Sequence, residues 1–422
     1  MTMRTLYTSL STLQILLSLF HTSHSFPISL SFASTRREAI QSTIVSSLTL
    51  GMSKLNDTNT INWGIVGLGD VCQKKSGPAF YKCEGSDLAA VMRRTPGKAK
   101  EYAAKQVPGG KCVGYEDIDE FLKHPGLDAV YVSTRPGTHL EICKKVAKAG
   151  KACYVEKPVG RCAEEAEEIN KVFKDAGLKL YTAYISRAYD RTQKVRTLLS
   201  EGAIGDTISN VSYTLVGSGG ARDMTGDLPW RLDAEQSGGG LIMDVGCHVL
   251  DRIDYICGPL TNIRGRAENK HSPLVPVEDF VHLTAEFGEG TWAALSTDKG
   301  ATVECTWDFA SEEQTPFEEL QIVGSKGSLK MAGFGVVKVY NEKGELQQEL
   351  TFDMPEHTAQ ALIQTVTNDL RGMEKSSILS YGDNAIRTQR VIDTALNSYY
   401  GGRESGYWAR ETWPGRPLQS TA

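Results

Sequence analysis

The chain has 422 residues, with 46 Lys and Arg against 51 Asp and Glu, so its formal net charge is −5. That acidic balance opposes sequence-independent binding to nucleic-acid phosphates, which needs clustered Lys and Arg. Nine cysteines are scattered without CxxC pairs or Cys/His clusters of metal-ligand spacing, so no metal site is expected, and a chain able to bury a large apolar core needs no disulfide framework.

In chain order, Arg4 precedes an apolar stretch from Leu10 to Phe20, too short for a bilayer-spanning helix but suited to the h-region of a signal peptide. Ser23, His24 and Ser25 precede Phe26, and the Ser- and Thr-rich stretch that follows has no acidic residue until Glu38, the composition of a transit peptide. Residues 1–55 are therefore expected to be a targeting presequence to a plastid, with plain secretion as the alternative. Arg36-Arg37 ahead of the weakly apolar 39–52 resembles a twin-arginine signal and would extend the route to a thylakoid lumen. No later run suggests a membrane span once this segment is removed.

Residues 56–182 alternate short apolar runs with amphipathic stretches. Ile61-Val66, Leu88-Met92, Ala129-Ser133, Ala152-Val155 and Leu178-Thr182 read as strands with helices between them, which is βαβ logic and predicts a doubly wound parallel sheet. From Thr207 the pattern changes to strands separated by turns: Asn210-Val216, Asn262-Ala267, Phe280-Phe287, Thr291-Ser296, Thr302-Phe309, Glu319-Val323, Ser328-Met331 and Val336-Tyr340. The expectation is an α/β chain in which a Rossmann domain is followed, over 183–401, by an α/β domain with a large, mostly antiparallel sheet. Helices at His357-Arg371 and Ala385-Tyr400 close it, and 402–422 reads as a poorly regular tail.

Ile65-Val66-Gly67-Leu68-Gly69-Asp70-Val71-Cys72 follows the first strand and matches the first two glycines of the dinucleotide fingerprint. Gly67 permits the tight turn and Gly69 lets the backbone, with Asp70 and Val71, approach a pyrophosphate that the next helix N-terminus attracts. Cys72 takes the place of the third small residue. The second expected strand ends in Met92-Arg93-Arg94, where an NAD-preferring protein offers an acidic side chain to the ribose. Guanidinium groups instead suit a 2′-phosphate, so NADP is the expected cofactor and NAD the alternative. Glu156-Lys157-Pro158 puts a lysine at the end of another expected strand of the same sheet. Gly238-Gly239-Gly240 leads into a helix in which Asp244 precedes His248 by four residues, placing both on one face if the helix is regular.

These segments, with Val132-Ser133-Thr134-Arg135-Pro136-Gly137-Thr138-His139, resemble the glucose-fructose oxidoreductase/inositol dehydrogenase family, Gfo/Idh/MocA, from Ile61 to about Gly401. The resemblance implies a nicotinamide-dependent oxidoreductase acting on a carbinol or carbonyl carbon. It places Thr134, His139, Glu156 and Lys157 against the cofactor, and makes the C-terminal sheet the usual oligomer interface. It assigns Lys157 and His248 to catalysis. His248 is the better general acid/base because its ordinary pKa lies near neutrality, Lys157 is expected to have a lowered pKa beside the nicotinamide, and Asp244 is expected to bind substrate or orient the imidazole. Tyr184 and Arg187, in Tyr184-Ile185-Ser186-Arg187, and Trp230-Arg231 are the expected substrate contacts for a sugar or polyol-like compound, with a trans-dihydrodiol as alternative. Arg135 stands where the family usually has proline. A cofactor-binding sensor without chemistry, or a tightly held and internally recycled nicotinamide, are the competing readings.

Overall fold

A computed structural model of the chain describes residues 59–414 except 218–227, 273, 289–290, 293–294, 312–314, 334, 374–375, 405 and 411. The expected presequence and the last part of the expected tail lie outside the described residues. The first sheet contains β1 (Ile61–Val66), β2 (Ser86–Met92), β3 (Val113–Tyr115), β4 (Ala129–Val132), β5 (Ala152–Val155) and β6 (Leu180–Thr182). All pairs are parallel, in the order β3-β2-β1-β4-β5-β6. Every residue of β4 is buried, as in a sheet covered on both faces. The strand order reverses between β1 and β4, which opens a crevice beyond their carboxyl ends, where doubly wound sheets bind ligands.

The second sheet contains β7 (Thr207–Val216), β8 (Leu260–Glu268), β9 (Phe280–Phe287), β10 (Thr291–Trp292), β11 (Leu295–Asp308), β12 (Phe317–Gly324), β13 (Gly327–Ala332), β14 (Val336–Asn341) and β15 (Leu346–Thr351). It runs β15-β14-β13-β12-β7-β11-β9-β8, with β10 paired to β11. Its one parallel pair is β7 with β11; the other pairs are antiparallel. The runs expected as two strands, Thr291-Ser296 and Thr302-Phe309, are instead the short β10 and one long β11, whose register slips between Thr297 and Thr302. β3 and β15 carry no expected strand. Both are edge strands with little burial, held by backbone pairing, so periodicity left no trace of them.

Two segments depart from their expected places. Helix Gln360–Leu370 lies in sequence within the C-terminal domain, yet Leu362, Ile363 and Val366 join the apolar cluster of Trp63, Ile65, Phe80 and Tyr131. Asp369 there accepts hydrogen bonds from Tyr181 Oη at 2.5 Å and Lys179 Nζ at 2.9 Å. The described part of the tail is irregular but packed: Tyr407 is fully buried, with its ring against Tyr400, Trp408 and Trp413. Aromatic residues of this size bury enough apolar area to hold a segment without regular structure.

Candidate active site

The glycine turn after β1 lies at the reversal of strand order. Gly67 has φ of 98°, and a Cβ there would lie 2.5 Å from the Ser133 carbonyl oxygen and 2.9 Å from Thr134 Cγ2, so only glycine lets this turn meet the loop after β4. A Cβ on Gly69 would meet nothing within 4 Å, leaving its backbone open to a ligand. Arg93, at the end of β2, donates from Nη1 to the Leu68 carbonyl at 2.7 Å, with Arg94 exposed beside it. Asp70 and Val71 are exposed on the turn. These residues fit a dinucleotide: an open glycine backbone faces the crevice, a guanidinium stands at its rim, and the bond that ties Arg93 to the turn keeps that guanidinium in place.

The helix expected behind the turn is different. Cys72–Ser76 form a π-helical turn, and Ala79–Lys82 a short α-helix beyond Gly77-Pro78, because Pro78 has no N–H with which to continue the first turn. Beyond Gly67, whose N–H donates to the Met92 carbonyl at 3.0 Å, the backbone of the glycine turn, more than a long helix dipole, would meet a pyrophosphate. Cys72 is fully buried and its thiol is pushed up to about 12, chiefly by burial, which suits a packing residue. His139 is also buried, and its ring lies within 3.2 Å of the carbonyls of Thr134, Pro158 and Val159. The expected cofactor contact is therefore corrected. Enclosed by protein carbonyls, His139 ties the loop after β4 to the loop after β5.

Lys157 follows β5. Its Nζ donates to the Asp244 Oδ1 at 2.5 Å and to the Asp244 carbonyl at 2.7 Å, while Arg231 Nε donates to Oδ2 at 2.7 Å. The neighbouring Glu156 accepts from the buried Tyr131 hydroxyl, which lies 3.0 Å from Ser76 Oγ. Asp244 stands in a π-helical turn, Ile242–Gly246, ahead of the α-helix Cys247–Cys257. The widened turn changes the expected four-residue pairing: the carboxylate meets Lys157 and Arg231, and His248 Nδ1 has no hydrogen-bond partner among the described residues. The His248 ring stands edge-on to Tyr184 at 6.1 Å. Asp244 thus orients the lysine rather than the imidazole.

Glu278 and Arg403 hold the triple glycine, and neither is singled out by the sequence. Glu278 is buried and accepts from Gly240 N at 2.8 Å and from the Tyr400 hydroxyl at 2.5 Å. Arg403 donates to the Gly238 carbonyl and pairs with Asp393. A Cβ on Gly240 would lie 2.3 Å from the Glu278 carbonyl oxygen. A charge inside an otherwise apolar stretch, as at Glu278 after Val275 and Val277, was the available signal.

The charges at the site act on one another. Burial opposes the charge on Lys157, but Cys247, Asp244 and Glu156 outweigh it and raise the ammonium's pKa, reversing the expected lowering. Burial disfavours the Asp244 carboxylate, yet Lys157 and Arg231 hold it well below the usual carboxylate range. His248 is pushed well below its ordinary value by burial and by the Lys157 cation, so it is neutral at pH 7. Glu156 is raised, chiefly by burial.

Trp230 and Arg231 share a small cleft with Lys157, Asp244, Pro136 and Met243. The Arg231 guanidinium lies 4.5 Å from the Trp230 ring centroid and that of Arg135 5.9 Å, so the residue found in place of the usual proline stacks at this cleft. Tyr184 and Arg187 are not substrate contacts. They are 1% and 2% exposed, and Arg187 forms a forked ion pair with the buried Asp251 at 2.6 and 2.8 Å while stacking on Tyr255.

Residues 61–184 match the model of an oxidoreductase family with an NAD-binding Rossmann fold, and 192–330 match the GFO/IDH/MocA C-terminal domain. A protein of Formosa agariphila, Oxidoreductase P35, is 29% identical over 306 residues, 72% of this chain and 89% of the relative. A D-xylose 1-dehydrogenase [NADP(+)] of Haloarcula marismortui is 26% identical over 227 residues, 52% of this chain and 61% of its own. The crystal structure of an aldose-aldose oxidoreductase from Caulobacter crescentus superposes with a TM-score of 0.66 at 25% identity, over 80% of this chain and 97% of that one.

Proposed function

The chain belongs to the Gfo/Idh/MocA oxidoreductases, and from that premise we propose that it is an NADP-preferring dehydrogenase or reductase of a sugar or polyol, with Lys157 and His248 as its catalytic residues. The observation that carries this reading is the Lys157 ammonium fixed on Asp244 at 2.5 Å, next to a neutral His248 and at the open end of the sheet that carries the glycine turn. Bound nicotinamide would supply the hydride acceptor or donor. Of its three donors Lys157 gives two to Asp244 and keeps one for a substrate hydroxyl. His248, neutral at pH 7, accepts the hydroxyl proton in oxidation and returns it in reduction. Asp244 and Arg231 keep the ammonium in place, and Trp230 offers an aromatic face to a sugar ring.

Arg93 at the rim of the glycine turn supports the preference for NADP. Titration of the purified protein should give tighter binding of NADP+ than of NAD+, and Arg93→Asp should flatten the difference at a cost of about 1.5–3 kcal/mol in NADP+ binding, the scale of hydrogen bonds to charged groups. Equal affinities in the unmodified protein would end the NADP assignment. A homo-oligomer formed through the open face of the second sheet is part of the same proposal, supported by the exposed Phe317 and Leu346 on that sheet. Plastid import, with a thylakoid lumen as the further destination, is proposed from residues 1–55 alone.

A further inference from the structure

Two arginines near the site are left without adequate partners. Arg191 and Arg252 are 4% and 5% exposed, and the Nε of each is buried with no hydrogen-bond acceptor among the described residues. Arg191 donates from Nη1 to the Gly333 carbonyl. The carboxylate nearest Arg252 is Glu318, at 3.8 Å and also serving the Tyr213 hydroxyl at 3.3 Å. Two guanidiniums against one carboxylate leave a net charge of +1 inside the protein. A buried cation with an unused donor is costly unless something completes it.

One of the pair opens onto a cavity and the other shares a helix face with His248. Arg191 lines a cavity of about 270 Å3 with Tyr189, Phe352, Met354 and Thr358, room for a ring of monosaccharide size. Arg252 follows His248 by four residues in the regular helix Cys247–Cys257, so the two side chains leave one helix face about 5–6 Å apart at Cβ. The pKa of Arg191 is brought down to about 10 by burial and then by Arg252, and Lys157 and Arg252 both depress His248 after burial does. Tyr189, on the cavity wall, is raised by burial and eased by Arg191, Lys157 and Arg252, so the cavity and the Lys157–His248 pair share one cationic field. Asp190 and Asp353 also line the cavity, but their side chains are exposed to water, where their charge is screened.

Building on the oxidoreductase reading above, we propose that the substrate is a sugar carboxylate, an aldonate or uronate, whose carboxylate is bound by Arg191 and Arg252 while a hydroxyl along the chain or ring reaches His248 and Lys157. A guanidinium fork matches a carboxylate in geometry, and a monoanion balances the single excess charge where a dianionic phosphate would overfill it.

The test uses the full purified protein loaded with NADP+, its melting temperature and ligand titrations measured with glucose, gluconate, glucuronate and glucose 6-phosphate. A sugar acid should bind about 10-fold or more tightly than glucose, the scale of charge-assisted hydrogen bonds, and be the better substrate in kcat/KM. Lys157→Ala should lose turnover yet keep the stabilisation by sugar acid. Arg191→Gln and Arg252→Gln should each lose it, and Glu318→Gln, which leaves both arginines and removes the competing carboxylate, should tighten it. Equal binding of glucose and the sugar acids, preference for the phosphate, or sugar-acid binding that survives both arginine substitutions overturns the inference. Arginine-dependent binding with no turnover of any of these compounds would instead defeat the oxidoreductase reading while leaving the carboxylate site standing.

Discussion

Lys157 is charged at the site because carboxylates surround it, and His248 is uncharged because a cation and burial do. Under the proposed function this division gives orientation to the lysine and proton transfer to the imidazole. Lys157→Ala and His248→Ala should each lower kcat/KM by about 10²–10⁴-fold, the usual contribution of a general acid/base, while NADP+ titrations stay close to those of the unmodified protein. Because the folded pKa of His248 lies below its ordinary value, substrate oxidation should lose no rate as pH falls through about 6.5, and decline only in more acidic solution; a limb centred at the ordinary value would contradict the assignment. The stability linkage has a matching sign. Below about 6.5 the unfolded chain takes up this proton first, so the folded state loses stability as pH falls and regains it in full above that value. Arg187 makes a different prediction. Its forked pair with Asp251 is buried, so Arg187→Ala should cost about 3–5 kcal/mol of stability, read as a shifted denaturant midpoint.

At the scale of elements, the two glycines of the first turn do different work. Gly67→Ala forces a side chain into φ of 98° and against the Ser133 carbonyl at 2.5 Å, backbone that cannot swing aside. The left-handed conformation alone costs about 1–2 kcal/mol, so both melting temperature and NADP+ affinity should fall. Gly69→Ala meets open space and should melt normally while weakening NADP+ binding, since its methyl would stand between backbone and pyrophosphate. Parallel losses in both variants would show that Gly69 serves the fold and leave the cofactor elsewhere. The π-helical turns at Cys72–Ser76 and Ile242–Gly246 lie at the two places where chain and ligands are expected to meet, a common location for such turns.

For the whole molecule, the presequence reading implies a shorter mature protein. N-terminal sequencing of protein isolated from its native cells should find a start at or after Phe26, with a second cut near Met52; an intact Met1 on functional protein would remove the targeting argument. Among the described residues no helix is long and apolar enough to cross a membrane. The folded region beyond 58 is one compact unit by its contacts. Its last segments cross back: Gln360–Leu370 completes the first core through Leu362 and Ile363, and Arg403 reaches the Gly238 carbonyl from the tail.

Strand identity at β1, β4, β5 and β9 was legible from apolar runs bounded by turn residues, because burial on a sheet imposes local patterns on a chain. Gly67, Lys157, Asp244 and His248 were likewise visible, since glycine turns and ionisable residues at strand ends are local signals. The sequence could not say that Asp244 would face Lys157 and not His248, because one extra residue in a helical turn redirects a side chain without altering composition. Nor could it separate Arg187, locked on Asp251, from Arg191 and Arg252, the buried Nε of each without an acceptor among the described residues. All three are arginines, and only the tertiary structure decides which of them meets a carboxylate at hydrogen-bond distance.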